Sequence, residues 1–91
     1  MEREAFEAEL AALGFDEVLT REWPPNHVEA THTHPFEVRA LMLHGQLELS
    51  CDGEKRTYRS GEIFTLPQAQ PHSEQYGPEG AKYLVGRKRV A

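Results

Sequence analysis

His32 and His34 stand one residue apart in a stretch that reads as an extended strand. Alternation along a strand sends both imidazoles to the same face, close enough to share one ion. Neutral imidazole is the commonest protein ligand for zinc, copper, iron and nickel. His72 follows Pro71 at the start of a later strand, where a barrel would bring it opposite the first pair. The other two histidines read differently. His27 has the opposite parity and belongs to the outer face or a turn, and His44 precedes Gly45 at a turn, on the rim. A polar-lined barrel mouth without an ion is the plainer reading of the same three residues.

Such a site needs a scaffold, and the hydrophobic period supplies one. Residues 2–13 read as a short helix with Phe6, Leu10 and Leu13 on one stripe and Glu2, Glu4, Glu7 and Glu9 mostly elsewhere. Gly14 is placed to cap its C-terminus. A helix this short must lie against the rest of the chain. After Gly14 the period becomes two. Strands are expected near 16–22, 27–33, 37–43, 46–51, 54–59, 62–66, 71–76 and 81–87. Pro24-Pro25-Asn26, Asp52-Gly53, Ser60-Gly61 and Gly77-Pro78-Glu79-Gly80 punctuate them, and Asp52-Gly53 is a strong two-residue hairpin signal. Many short strands with regular turns point to a closed or sandwiched all-β fold. Ala40-Leu41-Met42-Leu43 is apolar at every position, so both faces need cover. One face belongs in the barrel; the other needs the N-terminal helix or a second subunit, which favours a homodimer.

Composition narrows the function classes. The chain has 91 residues, enough for one domain: a helix over 1–14 packed on a barrel over 15–91. Ten basic against fifteen acidic side chains leave a net charge of −5, which argues against a duplex nucleic-acid binder. Arg87-Lys88-Arg89 is a local exception and reads as a solvated end. Cys51 is the only cysteine, so no intrachain disulfide forms, and in phase with Leu47 and Leu49 it reads as a small buried apolar residue. The N-terminus is acidic without an apolar signal core, and no apolar run reaches membrane-spanning length. A cytoplasmic protein with no membrane contact is the expectation.

The segment His32-Thr33-His34-Pro35-Phe36-Glu37-Val38, continued through Leu43-His44-Gly45, resembles the first conserved motif of the cupin family. Gly61-Glu62-Ile63-Phe64-Thr65-Leu66-Pro67 through Pro71-His72 resembles the second, in which a Gly and a Pro lead to the third histidine. The two are joined by a short hairpin, as in small single-domain members. The resemblance spans residues 26 to 76. It implies a double-stranded β-helix, a jelly-roll barrel, with His32, His34 and His72 as metal ligands inside one end.

Departures from that pattern bear on the chemistry. Counting back from Gly45, the family's metal-binding glutamate falls at Val38; Glu37 is adjacent, but one step along a strand turns a side chain to the other face. Asn26 and Ala69 stand where the family has glycines, and Tyr76 where it often has Asn. Glu74, two residues after His72, should share its inward face, so it supplies or supports a fourth ligand. An ordinary exposed glutamate near a strand end is the alternative.

Ala30, Val38, Ala40 and Met42 share the parity of His32 and His34, so the pocket should be mostly apolar. Met42, Phe64 or Ile63, and Tyr76 are the expected wall residues. The expected cofactor is one divalent transition-metal ion: Fe, Mn, Ni or Zn. The family includes dioxygenases, isomerases and decarboxylases, so the resemblance implies a metal-dependent enzyme acting on a small organic molecule. A non-catalytic module that binds or senses a small molecule is the second expectation, and fold alone does not choose between them.

Overall fold

Leu10 and Phe15 explain how the chain enters its fold. In a computed structural model, which describes residues 1–89, helix α1 spans Arg3–Ala12. Its end is a Schellman turn: Gly14 N donates to the Ala11 carbonyl and Phe15 N to that of Leu10. That turn reverses the chain and places Phe15 beside Phe6 and Leu10, both fully buried. The stripe expected to end at Leu13 therefore ends at Phe15, and Leu13 is 46% exposed.

Six strands follow: β1 (Glu17–Trp23), β2 (Val28–His32), β3 (Glu37–Cys51), β4 (Glu54–Arg59), β5 (Ile63–Leu66) and β6 (His72–Lys88). Their order is β1-β6-β3-β4, with β2 also on β6 and β5 also on β3, all antiparallel. The fold is all-β with one short N-terminal helix, as expected for a jelly-roll barrel. Residues 90 and 91 of the span expected for the barrel lie outside the described residues.

Two expected breaks are bends instead. Segments 37–43 and 46–51 form the single strand β3, and 71–76 and 81–87 form β6. The two strands stay paired around the corner: Gly45 lies opposite Ala81 and Leu47 opposite Tyr76, so Gly77–Gly80 is a bulge rather than a turn. Gly45 has φ 79, and a Cβ there would collide with the Gly80 carbonyl, so the strands cross too closely for a side chain. The Asp52-Gly53 hairpin forms as expected, with φ 51 and 78 joining Cys51 to its partner Glu54.

Parity then sorts the core. Val38, Ala40 and Met42 face the barrel interior with Leu47, Phe64 and Val85. Leu41 and Leu84 face outward and pack against Phe6, Leu10 and Phe15. The apolar stretch 40–43 is thus covered by α1, which Arg39 also fastens through its Nε bond to Glu9 at 2.6 Å. No helix is long and apolar enough to cross a membrane among the described residues.

Candidate metal centre

Antiparallel pairing sets His32 directly opposite His72, across β2 and β6. Side chains of such a pair project from the same face with Cβ atoms roughly 5 Å apart. His34 joins them from the connection between β2 and β3, where its carbonyl accepts a bond from Ala69 N at 2.9 Å. The three rings lie 4.4 to 5.0 Å apart between centroids. One donor atom from each lies within 4.8 Å of the others.

Hydrogen bonds settle which atoms those are for two of the rings. His32 Nδ1 donates to the Ala30 carbonyl at 2.7 Å, and His72 Nδ1 to the Gln70 carbonyl at 2.9 Å. A carbonyl only accepts, so each Nδ1 carries a proton, and the neutral ring is the tautomer that leaves Nε2 as the metal-binding atom. His72 is 2% exposed, and its Nε2 has no hydrogen-bond partner among the described residues. Native interiors rarely leave a buried polar atom unpaired without a function. His34, stacked on Phe36, is held neutral: burial first, then His72, His32, Arg87 and Arg21, push it down to about 4. Three imidazoles whose donor atoms converge fit a transition-metal ion.

Behind them runs a polar chain. Glu74 is 7% exposed, with Oε1 3.8 Å from His72 Nε2 and Oε2 accepting a bond from the Tyr76 hydroxyl at 3.0 Å. Trp23 Nε1 donates to the Tyr83 hydroxyl at 3.0 Å. Burial, followed by Tyr83 and Glu74, pushes the Tyr76 hydroxyl far above its ordinary value, so it stays a protonated donor. In front of the histidines opens a cleft of about 270 Å³, walled by Phe36, Val38, Phe64, Leu66 and Val85.

A family model described as Cupin domain matches residues 19–85. The chain belongs to the cupin family. Among solved structures, this cupin is similar to a structural-genomics protein of unknown function from Rhizobium leguminosarum bv. viciae, at 25% identity and TM-score 0.76 over 80% of this chain and 69% of that one. It is also similar to an RmlC-like cupin from Shewanella frigidimarina, at 15% identity and TM-score 0.70 over 80% of this chain and 65% of that one. The Schizosaccharomyces pombe Cnp3 cupin domain matches at 13% identity and TM-score 0.73, over 80% and 55% of the two chains. The chain thus spans between about half and seven-tenths of these relatives' lengths. No curated protein matches it significantly.

In this cupin His32, His34 and His72 come together, and Glu74 lies inside the barrel beside them but outside the cluster of converging donor atoms. Val38 lines the cleft, at the position where the motif would carry a glutamate. Of the expected wall residues, Phe64 lines the cleft, whereas Met42 and Tyr76 are packed behind it in the core. Ala30 is exposed, because the register of β2 shifts between Glu29 and His32; that irregularity brings Glu29 to the cleft instead. His27 follows the Pro25-Asn26 turn, and its ring stacks on Trp23 at 4.8 Å rather than facing solvent. His44 is exposed at the bend in β3, away from the cluster.

Two arginines also line the cleft unexpectedly. Arg87 belongs to β6 and lies over Phe36 at 4.5 Å, so it is part of the barrel and not of a solvated end. Arg21 lies on β1, over Trp23 at 4.9 Å, and both arginines line the cleft. Parity held the signal: Leu19, Arg21 and Trp23 alternate inward, as do Tyr83, Val85 and Arg87.

Proposed function

We propose that this cupin holds one divalent transition-metal ion, Fe, Mn, Ni or Zn, on His32, His34 and His72, and acts there on a small organic molecule. Glu74 supplies or supports a fourth position. The observation that carries the reading is the buried Nε2 of His72, which has no hydrogen-bond partner among the described residues, in a cluster beside a cleft of about 270 Å³. A bound ion of this kind supplies a Lewis-acid or redox centre for water, dioxygen or a carbonyl, which suits dioxygenase- or isomerase-like chemistry.

The chain's own residues do the rest. Ala30 and Gln70 carbonyls hold two of the rings in the tautomer that presents Nε2 inward. Phe36 stacks on His34 and limits its rotation. The apolar part of the wall lowers the local polarity beside the cluster, which strengthens polar interactions there. Tyr76 orients the Glu74 carboxylate by its hydrogen bond.

Metal analysis of protein purified without an affinity tag tests this directly. About one ion per chain is expected, lost with His72→Ala. Wild-type protein that carries no ion and takes up no added Mn, Fe, Ni or Zn overturns the reading. Oxygen uptake or product formation with a panel of small carbonyl compounds then marks an enzyme. Saturable ligand binding by the metal-loaded protein without turnover assigns the binding or sensing role.

A further inference from the structure

Arg21 and Arg87 are cations on inward-facing strand positions, where apolar residues are the rule. Arg87 reaches the Glu17 carboxylate with Nη1 at 3.2 Å, at the exposed rim of the barrel. Its Nε is buried and has no acceptor among the described residues. Arg21 lies over the Trp23 ring and makes no ion pair with a carboxylate among the described residues.

The acids of the same cleft each make a hydrogen bond to a group other than these arginines. Glu29 pairs with His27 Nε2 at 2.9 Å, and Glu74 accepts from Tyr76 at 3.0 Å. Both guanidinium groups line this cleft, and the buried Nε of Arg87 has no acceptor there among the described residues. A buried donor without an acceptor is unfavourable by about 1–3 kcal/mol, and more when it is charged. An anion entering the cleft removes that penalty. Planar guanidinium matches a carboxylate by paired N–H···O bonds, and both arginines are held by aromatic faces. At roughly 30 Å³ per water-sized group, the cleft of about 270 Å³ holds a molecule of around ten non-hydrogen atoms.

We propose that the cleft takes a small organic carboxylate, its acid group bound by Arg87 and Arg21 and its other end turned toward His32, His34 and His72. This deepens the metal-site reading and rests on it for the orientation of the molecule, while the arginine contacts stand on their own residues.

Binding of pyruvate, lactate and benzoate, each compared with its uncharged amide, tests it by calorimetry on metal-loaded and metal-stripped protein. At least one acid should bind about ten- to a hundredfold more tightly than its amide, the range expected of a charge-assisted hydrogen bond. Arg87→Gln and Arg21→Gln should each remove most of that preference while leaving metal content and melting temperature near wild type. Arg87→Lys should restore part of it, since the charge returns without the planar fork. Acids that bind no better than their amides, no acid bound at millimolar concentration, or a preference untouched in both Gln variants overturns the proposal. Metal content is read separately: a preference for acids in a protein that takes up no metal overturns the metal reading alone.

Discussion

The lone pair on His72 Nε2 is where sequence, burial and chemistry meet. Pairing with His32 fixes the ring's place, the Gln70 carbonyl fixes its tautomer, and the second nitrogen has no hydrogen-bond partner among the described residues. His72→Ala should therefore abolish metal binding, read as loss of the ion by elemental analysis. Glu74→Gln tests the neighbouring carboxylate. It keeps shape and removes charge, so metal affinity should fall by about 10- to 100-fold, the usual effect of losing a supporting group, with the stoichiometry unchanged in a metal titration. An affinity equal to wild type would make Glu74 a structural residue that serves Tyr76 alone.

At the scale of the elements, Ala69 shows what local irregularity does for the site. Its φ is 63, a left-handed conformation that is unfavourable for a residue with a Cβ by about 1–2 kcal/mol. The strain is tolerated because Ala69 N then reaches the His34 carbonyl. Ala69→Gly should relieve the strain against a loss of about 0.5–1 kcal/mol in chain entropy. A gain of up to about 1.5 kcal/mol is expected, seen as a higher denaturant midpoint with metal binding intact. Helix α1 gives the opposite case. Leu10 is fully buried among Phe6, Phe15, Leu41 and Leu84, so Leu10→Ala should lower stability by about 2–5 kcal/mol in the same measurement. Much of this was legible in the residues. The period change at Gly14, the Asp52-Gly53 hairpin and the inward parity of His72 and Glu74 are all local properties, and local properties survive folding. What was hidden depended on partners far along the chain. Gly45 and Gly77–Gly80 look like turn residues because nothing nearby reveals that β3 and β6 stay paired around a shared bend. The irregular pairing of β2 is a relation between two strands, so parity counted along one strand misplaced Ala30 and missed Glu29. Arg87 was concealed by its neighbours Lys88 and Arg89, which made an inward residue look like part of a charged end.

At the scale of the whole molecule, stability and the site are one equilibrium. Folding gathers three imidazoles into one cluster and sets two guanidinium groups on the cleft that His32 and His34 line. In the metal-free protein this holds His34 down to about 4 from its ordinary 6.5, chiefly through burial and next through His72 and His32. Between those values the unfolded chain binds a proton that the folded chain refuses. The contribution of His34 to stability is therefore present in full above pH 6.5, falls as the solution is acidified, and is gone below about 4. A metal ion that binds only the folded, neutral cluster steepens the same dependence, since it stabilises by about 2.7 kcal/mol at a hundredfold excess over its dissociation constant. Added metal should raise the melting temperature strongly at neutral pH and hardly at all near pH 4, where protons compete for the same lone pairs. His34→Gln should flatten the acid decline of the metal-free protein, because the glutamine has no proton to take up. A His34→Gln protein whose melting temperature drops as steeply as wild type across that window would assign the acid sensitivity to another group.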